Sequence, residues 1–291
     1  MSRPTACMTT VATAAVAVLV AAAVAAAAAV AYLAAPVRDD GLIVLLVIGS
    51  DGGPPRAGSP LSARADGLHL LVVSADRQHA SILDFQRDSY VPVPGRGRTK
   101  INACLNAGPD TCVATIESLT GIDVDYWYLT DFRGLAAAID AIGGLHLDVE
   151  ERLKDPFSGT DLHPGAQVVD GGQTLAYTRD RKSRASGDKG RAAAHAKVLQ
   201  SLHAQLVGEG PSVTRIAELV GYLRATTVSS ADTADSLRLA LLGMRIPPQN
   251  VRSQVADARI GRAGNASVVF LTPTAQAQIA DLRDDGILGP P

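Results

Sequence analysis

The chain has 291 residues, a formal net charge of −2 and 47% hydrophobic residues, so it is long enough to bury a sizeable core. Its slightly acidic balance, with basic clusters that lack interleaved aromatic residues, argues against nucleic acid as a partner. The sequence also lacks the P-loop motif, the G-x-S-x-G hydrolase motif and the H-E-x-x-H zinc motif. These absences exclude several common catalytic sites.

The N-terminal region contains an alanine-rich segment, residues 11–37, without a charged residue. It is long enough to span a bilayer, which predicts a cytoplasmic stub at 1–10, a transmembrane anchor at 11–37 and a domain outside the cytoplasm at 38–291. The expected location is therefore the cell membrane, with a single pass. Small residues near Ala34 leave a cleaved signal peptide as the alternative.

Two cysteines, Cys104 and Cys112, lie eight residues apart in the presumed outside domain. A disulfide between them would close a short loop, and two free buried thiols are the alternative. This spacing is not a metal-binding signature.

The first part of the domain is predicted to form strands. Residues 42–48 are a continuous apolar run ended by Gly49, typical of a buried strand, and Asp51 follows it. The next stretch, 52–62, is rich in Gly, Pro and Ser and predicts a loop. The following predicted strands, neighbours or a hairpin, are residues 68–73 and 80–85.

The remaining segments alternate between helical and strand patterns, which predicts an α/β fold. A polar stretch at 154–172 is interpreted as a surface excursion. Helices are predicted at 112–119, 132–142, 172–175, 191–207, 213–223 and 231–242, and strands at 145–149, 176–181 and 267–271.

Charged residues near the ends of the predicted strands are candidates for phosphate chemistry. Arg179 and Arg181, two apart on a predicted strand, would share one face and bracket an anion, or would be an exposed edge pair. Asp188 is a candidate N-cap of the next helix, where Arg191 and His195 share one face.

Asp51 and Asp66 would supply hard oxygen ligands to Mg²⁺, with solvated loop aspartates as the alternative. Arg87 and Asp88 follow a strand at the same predicted edge. His69, in an apolar strand, is interpreted as a core histidine.

Several motifs occur in one order and spacing: LLVIGSD (45–51), RAD (64–66), QRDSY (86–90), KINA (100–103), QTLAYTRDRK (173–182) and GDKGR (187–191). Together they resemble the LytR-CpsA-Psr family, over residues of about 42 to 205, with a weaker helical remainder. The resemblance implies a three-layer α/β/α sandwich around a mixed central sheet. It also implies transfer of a glycopolymer from a polyprenyl-pyrophosphate carrier to peptidoglycan at the outer face of the membrane, with an apolar tunnel for the lipid.

By this resemblance Asp51 and Asp66 bind Mg²⁺ or Mn²⁺, and Asp88 and Asp188 orient arginines or accept a proton. The residues expected to bind pyrophosphate are Arg64, Arg87, Arg179, Arg181, Arg191 and His195. Of these, Arg87, Arg179 and Arg181 are also assigned to catalysis, with Asp88 and Asp188.

The chain departs from the family pattern at three positions: Gln86 replaces the usual Pro, and Ala194 and His195 replace Arg-Gln. His195 keeps a hydrogen-bond donor but is expected to titrate near neutral pH. Two other functions stay open, a hydrolase that cleaves the pyrophosphate with water and a non-catalytic module that binds lipid-linked wall precursors.

Overall fold

A computed structural model of the protein describes residues 41–51, 63–184 and 187–290, and these belong to one compact unit. The predicted anchor at 11–37 and the predicted loop at 52–62 lie outside the described residues. Within the described ranges, no helix is both long and apolar enough to cross a membrane.

The described strands fall into one large sheet and several small ones. They are β1 (Ile43–Ser50), β2 (Ala65–Val73), β3 (Ala80–Asp84), β4 (Tyr90–Val93), β5 (Gly97–Lys100), β6 (Tyr126–Asp131), β7 (Leu145–Val149), β8 (Leu153–Asp155), β9 (Thr160–Leu162), β10 (Gly165–Val169), β11 (Thr227–Ser229), β12 (Val251–Val255), β13 (Ala258–Ala263) and β14 (Ala266–Leu271).

The helices alternate with these strands. They are α1 (Pro109–Thr120), α2 (Phe132–Ala141), α3 (Gly171–Arg179), α4 (Gly187–Glu209), α5 (Val213–Thr226), α6 (Thr233–Gly243) and α7 (Pro273–Asp284), with 3-10 helices at Ile101–Ala107 and Pro248–Asn250.

The central sheet has the strand order β11-β6-β1-β2-β3-β12. Strands β1 and β6 are parallel, as are β3 and β12, whereas β2 is antiparallel to both of its neighbours. The sheet is therefore mixed, which confirms the predicted fold class. The predicted hairpin is also present, with β2 and β3 joined by a turn in which Ser74 N–H donates to His79 O at 3.1 Å.

One face of the sheet carries the larger apolar core. Alternate residues of β1 and β2 point into it, together with side chains from the first 3-10 helix, α1 and α7. The disulfide between Cys104 and Cys112 lies in this layer and joins the 3-10 helix to α1.

The opposite face is covered by α4, which packs on β2, β3 and β12. Helix α3 packs between α2 and α4, and a second apolar cluster joins these helices to the small sheets β7–β10 and β8–β9. The polar stretch expected to be a surface excursion thus contains β8, β9 and β10. Leu162 and Val169 of that stretch are buried and belong to the second apolar cluster.

The strand predicted at 176–181 is wrong, because residues Gly171–Arg179 form one helix. A capping box starts it: Asp170 Oδ1 accepts from Gln173 N–H at 2.7 Å, and Gln173 Oε1 accepts from Asp170 N–H at 3.0 Å. Arg179 is consequently the last helical residue and Arg181 lies beyond the end of the helix. The argument that both share one strand face does not hold.

Two further expectations need correction. Helix α4 begins at Gly187, so Asp188 is its second residue and not its N-cap, and the Asp188 side chain lies outside the described part of the chain. The C-terminal remainder is less helical than expected: the strand predicted at 267–271 is confirmed as β14, but β12, at the edge of the central sheet, and β13, which pairs with β14, were not predicted.

Candidate functional site

The candidate site lies at one edge of the central sheet. Because β1 and β3 run in the same direction and β2 runs against them, the ends of β1 and β3 and the start of β2 meet there. Asp51 and Arg64 continue the β1–β2 pairing: Asp51 N–H donates to Arg64 O at 3.1 Å, and Arg64 N–H donates to Asp51 Oδ1 at 2.7 Å. A bulge at Gly49 and Ser50 precedes this pair.

Asp66 is the centre of the edge. Its Oδ1 accepts a hydrogen bond from Arg87 Nη1 at 2.9 Å, and its backbone carbonyl accepts from Arg191 Nη1 at 3.0 Å. Arg191 is buried, with 4% of its surface exposed, although it carries a fixed charge. Three elements, β2, the turn after β3 and α4, are thereby held together by charge-assisted contacts.

Asp88 makes a contact that the sequence interpretation missed. Its carboxylate pairs with Lys100 Nζ at 2.9 Å, so the described partner of Asp88 is a lysine and not one of the arginines it was expected to orient. Asp66 is a carboxylate that does hold an arginine of the site, since its Oδ1 pairs with Arg87 Nη1. Lys100 is the first residue of the KINA segment, so this motif was the feature of the sequence that could have pointed to the contact with Asp88.

Arg64, Arg179 and Arg181 are exposed at the surface. Between the last two lies Asp180, which is fully buried and accepts from Ser183 N–H at 3.2 Å and from the Ser183 hydroxyl. The buried carboxylate thus fixes the turn that follows α3 and keeps both guanidinium groups outside it.

His195 points beneath the edge. Its Nε2–H donates to Thr178 O at 2.8 Å, and its ring stands edge-on to the ring of His69, with centroids 5.3 Å apart. Burial, then the nearby His69 and Arg191 charges, lower the pKa of His195 well below its usual range. The structure therefore does not support the expected titration near neutral pH.

His69 is a core histidine, as interpreted, but it has a charged partner. Its Nδ1 contacts Asp84 Oδ1, and both residues are buried. Burial raises the pKa of Asp84, and the His69 charge opposes that rise. The signal for this pair was present, since His69 and Asp84 are register partners in the predicted hairpin.

Two cavities lie behind the edge. The smaller, of about 90 Å³, is lined by Asp66, Gly67, His69, Thr178 and His195, among others. The larger, of about 300 Å³, lies between α2, α4, α5 and α6 and is lined almost entirely by apolar side chains. Leu199 of α4 lines both cavities.

A divalent metal fits the carboxylates that the edge presents. Asp51 and Asp66 each accept a hydrogen bond from the protein at Oδ1. A carboxylate has a second oxygen with lone pairs of its own, and this oxygen could bind a metal. Hard oxygen donors of this kind suit Mg²⁺, which keeps several water or phosphate ligands. Within the part of the chain that the structure describes, no three His, Cys, Asp or Glu side chains converge as a closed metal site.

The fold and the site define an α/β domain with a cationic sheet edge beside an apolar cavity. The LytR_cpsA_psr family model matches residues 9–281, and the chain belongs to this family.

Individual relatives agree with this assignment. The chain is 38% identical over 109 residues to the probable cell wall biosynthesis protein LcpB of Corynebacterium glutamicum, covering 37% of this chain and 26% of that protein. It is 28% identical over 167 residues to the polyisoprenyl-teichoic acid–peptidoglycan teichoic acid transferase TagU of Oceanobacillus iheyensis, covering 55% and 51%. These matches span about half of the relatives' length or less.

The fold resembles that of TagT bound to LIIa-WTA, with a TM-score of 0.69 at 20% identity over 86% of this chain and 92% of that one.

Proposed function

We propose that this protein transfers a glycopolymer from a polyprenyl-pyrophosphate carrier to peptidoglycan. The observation that carries the proposal is the arrangement around Asp66, where Arg87 and Arg191 meet beside a cavity that abuts a larger apolar one. Family membership and the name of the TagU relative support the same class of reaction.

The arginines divide into two groups with different tasks. Arg87 and Arg191 are held by Asp66 and are therefore preorganised, so they would contact the pyrophosphate without reorganising as charge develops. Arg64, Arg179 and Arg181 are exposed and would close on the phosphate oxygens from the solvent side. His195, hydrogen-bonded to Thr178, would support the floor of the site.

Asp51 and Asp66 would hold the Mg²⁺ or Mn²⁺ ion, which would neutralise phosphate charge when bound.

The apolar cavity would receive the first part of the prenyl chain. Four helices line this cavity with apolar side chains, so a lipid tail that enters it leaves water for an apolar environment. Leu199 separates this cavity from the smaller one beneath Asp66, so a chain that passes Leu199 would place its pyrophosphate at the sheet edge.

The reaction would be an in-line displacement. The acceptor hydroxyl attacks the glycan-linked phosphorus, a new phosphorus–oxygen bond forms, and the bridging bond to polyprenyl phosphate breaks. The hydroxyl proton would pass to a carboxylate, for which the family resemblance offers Asp88 and Asp188, and the arginines would stabilise the leaving phosphate. The N-terminal segment at 11–37 would anchor the domain at the outer face of the cell membrane, near both substrates.

The test uses the full-length protein in detergent with a short polyprenyl-pyrophosphate saccharide, Mg²⁺ and peptidoglycan fragments. Mass spectrometry follows polyprenyl phosphate release and the saccharide-modified acceptor. We expect both products in equal amounts with the wild type, and both formed roughly 10²- to 10³-fold more slowly with Arg179→Ala. Leu199→Trp, which enlarges the side chain between the cavities, should weaken binding of the prenyl substrate but not of a soluble pyrophosphate.

Each alternative function gives a distinct result. Release of polyprenyl phosphate without acceptor modification would replace transfer by hydrolysis. Binding of the prenyl substrate without any turnover, in the wild type as well as in Asp51→Ala, would indicate a non-catalytic module. Either outcome overturns the proposed transfer.

A further inference from the structure

Two histidines beneath the sheet edge each have one ring nitrogen fixed by an oxygen. His195 Nε2–H donates to Thr178 O, which leaves a lone pair on Nδ1 in the neutral ring. His69 contacts the Asp84 carboxylate through Nδ1, so Nε2 is the nitrogen that can bind a metal ion, which displaces any proton it carries. Histidines that bind metals usually donate their second ring N–H to a carboxylate or a backbone carbonyl. Both partners occur here.

The two remaining nitrogens lie close to one point, the position of a Cβ atom on Gly67. A Cβ atom placed on Gly67 would lie 2.6 Å from His69 Nε2 and 3.2 Å from His195 Nδ1. Any side chain at position 67 would therefore enter the space between the rings. Glycine keeps this space open, and the small cavity beneath Asp66 borders it.

We propose that His69 Nε2 and His195 Nδ1 together bind one transition-metal ion of the Zn²⁺ or Cu²⁺ type. Imidazole nitrogens suit these ions, whereas Mg²⁺ takes oxygen ligands. The protein supplies two ligands, and water in the adjoining cavity fills the other positions. This site differs in chemistry and in ligands from the carboxylate pair Asp51 and Asp66, and it does not depend on the transfer reaction.

Charge and protonation agree with this site. The lowered pKa of His195 keeps its ring neutral, which is the form that binds metals. The charged groups near the pair are Asp84 on β3, Asp66 and Asp131 in the lining of the adjoining cavity, Arg191 on the same helix and Arg184 before it. Asp84 is the acid that contacts a ring of the pair, and its carboxylate compensates the charge of a bound cation.

The experiment measures Zn²⁺ binding by titration calorimetry on the full-length protein in detergent, without a polyhistidine tag and after chelator treatment. Excess Mg²⁺ is present throughout, so that carboxylate sites are occupied. We expect one Zn²⁺ per chain, at least tenfold weaker binding in His195→Gln, and a 10- to 100-fold loss in Asp84→Asn through its effect on His69. Cu²⁺ spectra should show coupling to two imidazole nitrogens in the wild type.

The matched control is His203→Gln. His203 lies on the same helix and also contacts a backbone carbonyl, Gly243 O at 2.9 Å. It lines the larger apolar cavity, whereas Gly67 and His195 line the smaller one. Zinc affinity should be unchanged in this variant. Circular dichroism checks that each variant is folded. Absence of Zn²⁺ binding in the wild type, or equal binding in wild type and folded His195→Gln, would overturn the proposal.

Discussion

The two faces of the central sheet differ in what their side chains do. On one face, Val44, Leu46 and Ile48 of β1 are at most 2% exposed and pack into the larger core. On the other face, the alternate positions include Gly49 of β1 and Gly67 of β2, and the smaller cavity replaces part of the packing. Packing on the first face stabilises the fold, and the second face leaves space for a ligand. One strand contributes to both because successive side chains point to opposite faces of the sheet.

The largest expected effect concerns the cationic edge. Arg179→Ala and Arg181→Ala should each lower the transfer rate by roughly 10²- to 10³-fold, because in the proposed function each removes a charge that stabilises the leaving phosphate. Since both side chains are exposed, thermal unfolding should change little. Initial rates of acceptor modification give the measurement, with the exposed Arg96→Ala as a control. Full activity in both variants would remove them from the site.

The apolar face should be much more sensitive to truncation. Leu46→Ala should lower the free energy of unfolding by about 2 to 5 kcal/mol, because a fully buried side chain leaves a cavity. Leu45→Ala, next to it on the half-buried face, should cost well under half as much. Urea denaturation of both variants makes the comparison, and equal losses would contradict the division between the faces.

The disulfide in the apolar layer should contribute less than the best-packed leucine. Replacing Cys104 and Cys112 by serine should lower stability by roughly 2 to 3 kcal/mol, the range expected for so short a loop. The measurement is denaturant unfolding of the double variant and of the reduced wild type. If oxidised and reduced protein unfold at the same denaturant concentration, the disulfide contributes nothing.

The smallest expected effect is a pH dependence of the folding stability, which arises from His195 beside the smaller cavity. The pKa of His195 is lowered in the folded protein, so the unfolded state binds more protons below the ordinary value of 6.5. Stability is complete above that pH and falls as the pH decreases toward the folded pKa, by up to about 1.4 kcal/mol per pH unit. His195→Gln, compared with wild type in chelator, should lose this component. Parallel stability profiles would show that His195 does not contribute it.

The sequence was sufficient for the apolar face and for the hairpin. Continuous apolar runs ended by turn residues predict β1, β2 and β3, and these strands carry Asp51, Asp66 and Arg87 to one edge. The segment at 176–181 was harder, because Tyr and Thr favour a strand locally. The capping box between Asp170 and Gln173 was the better signal, because it marks the start of a helix whatever the strand propensity of the residues that follow.

Contacts between distant segments set the limit of prediction. The pair of His69 and Asp84 follows from hairpin register and was available to sequence analysis. The approach of His195 to His69 was not, because it depends on how α4 lies across the sheet. The Lys100 partner of Asp88 likewise depends on how β5 folds back beside the edge.

The short disulfide loop also bears on when the site becomes ordered. The 3-10 helix that Cys104 ties to α1 begins with two backbone N–H groups that hold the edge of the candidate site: Ile101 N–H donates to Ser89 O at 2.7 Å, and Asn102 N–H donates to Arg87 O at 3.2 Å. Thiol oxidation therefore restrains the segment that positions the Arg87 backbone. A chain kept in a reducing compartment would have every residue of the edge but lack this restraint, so its edge should be less ordered than that of the oxidised chain.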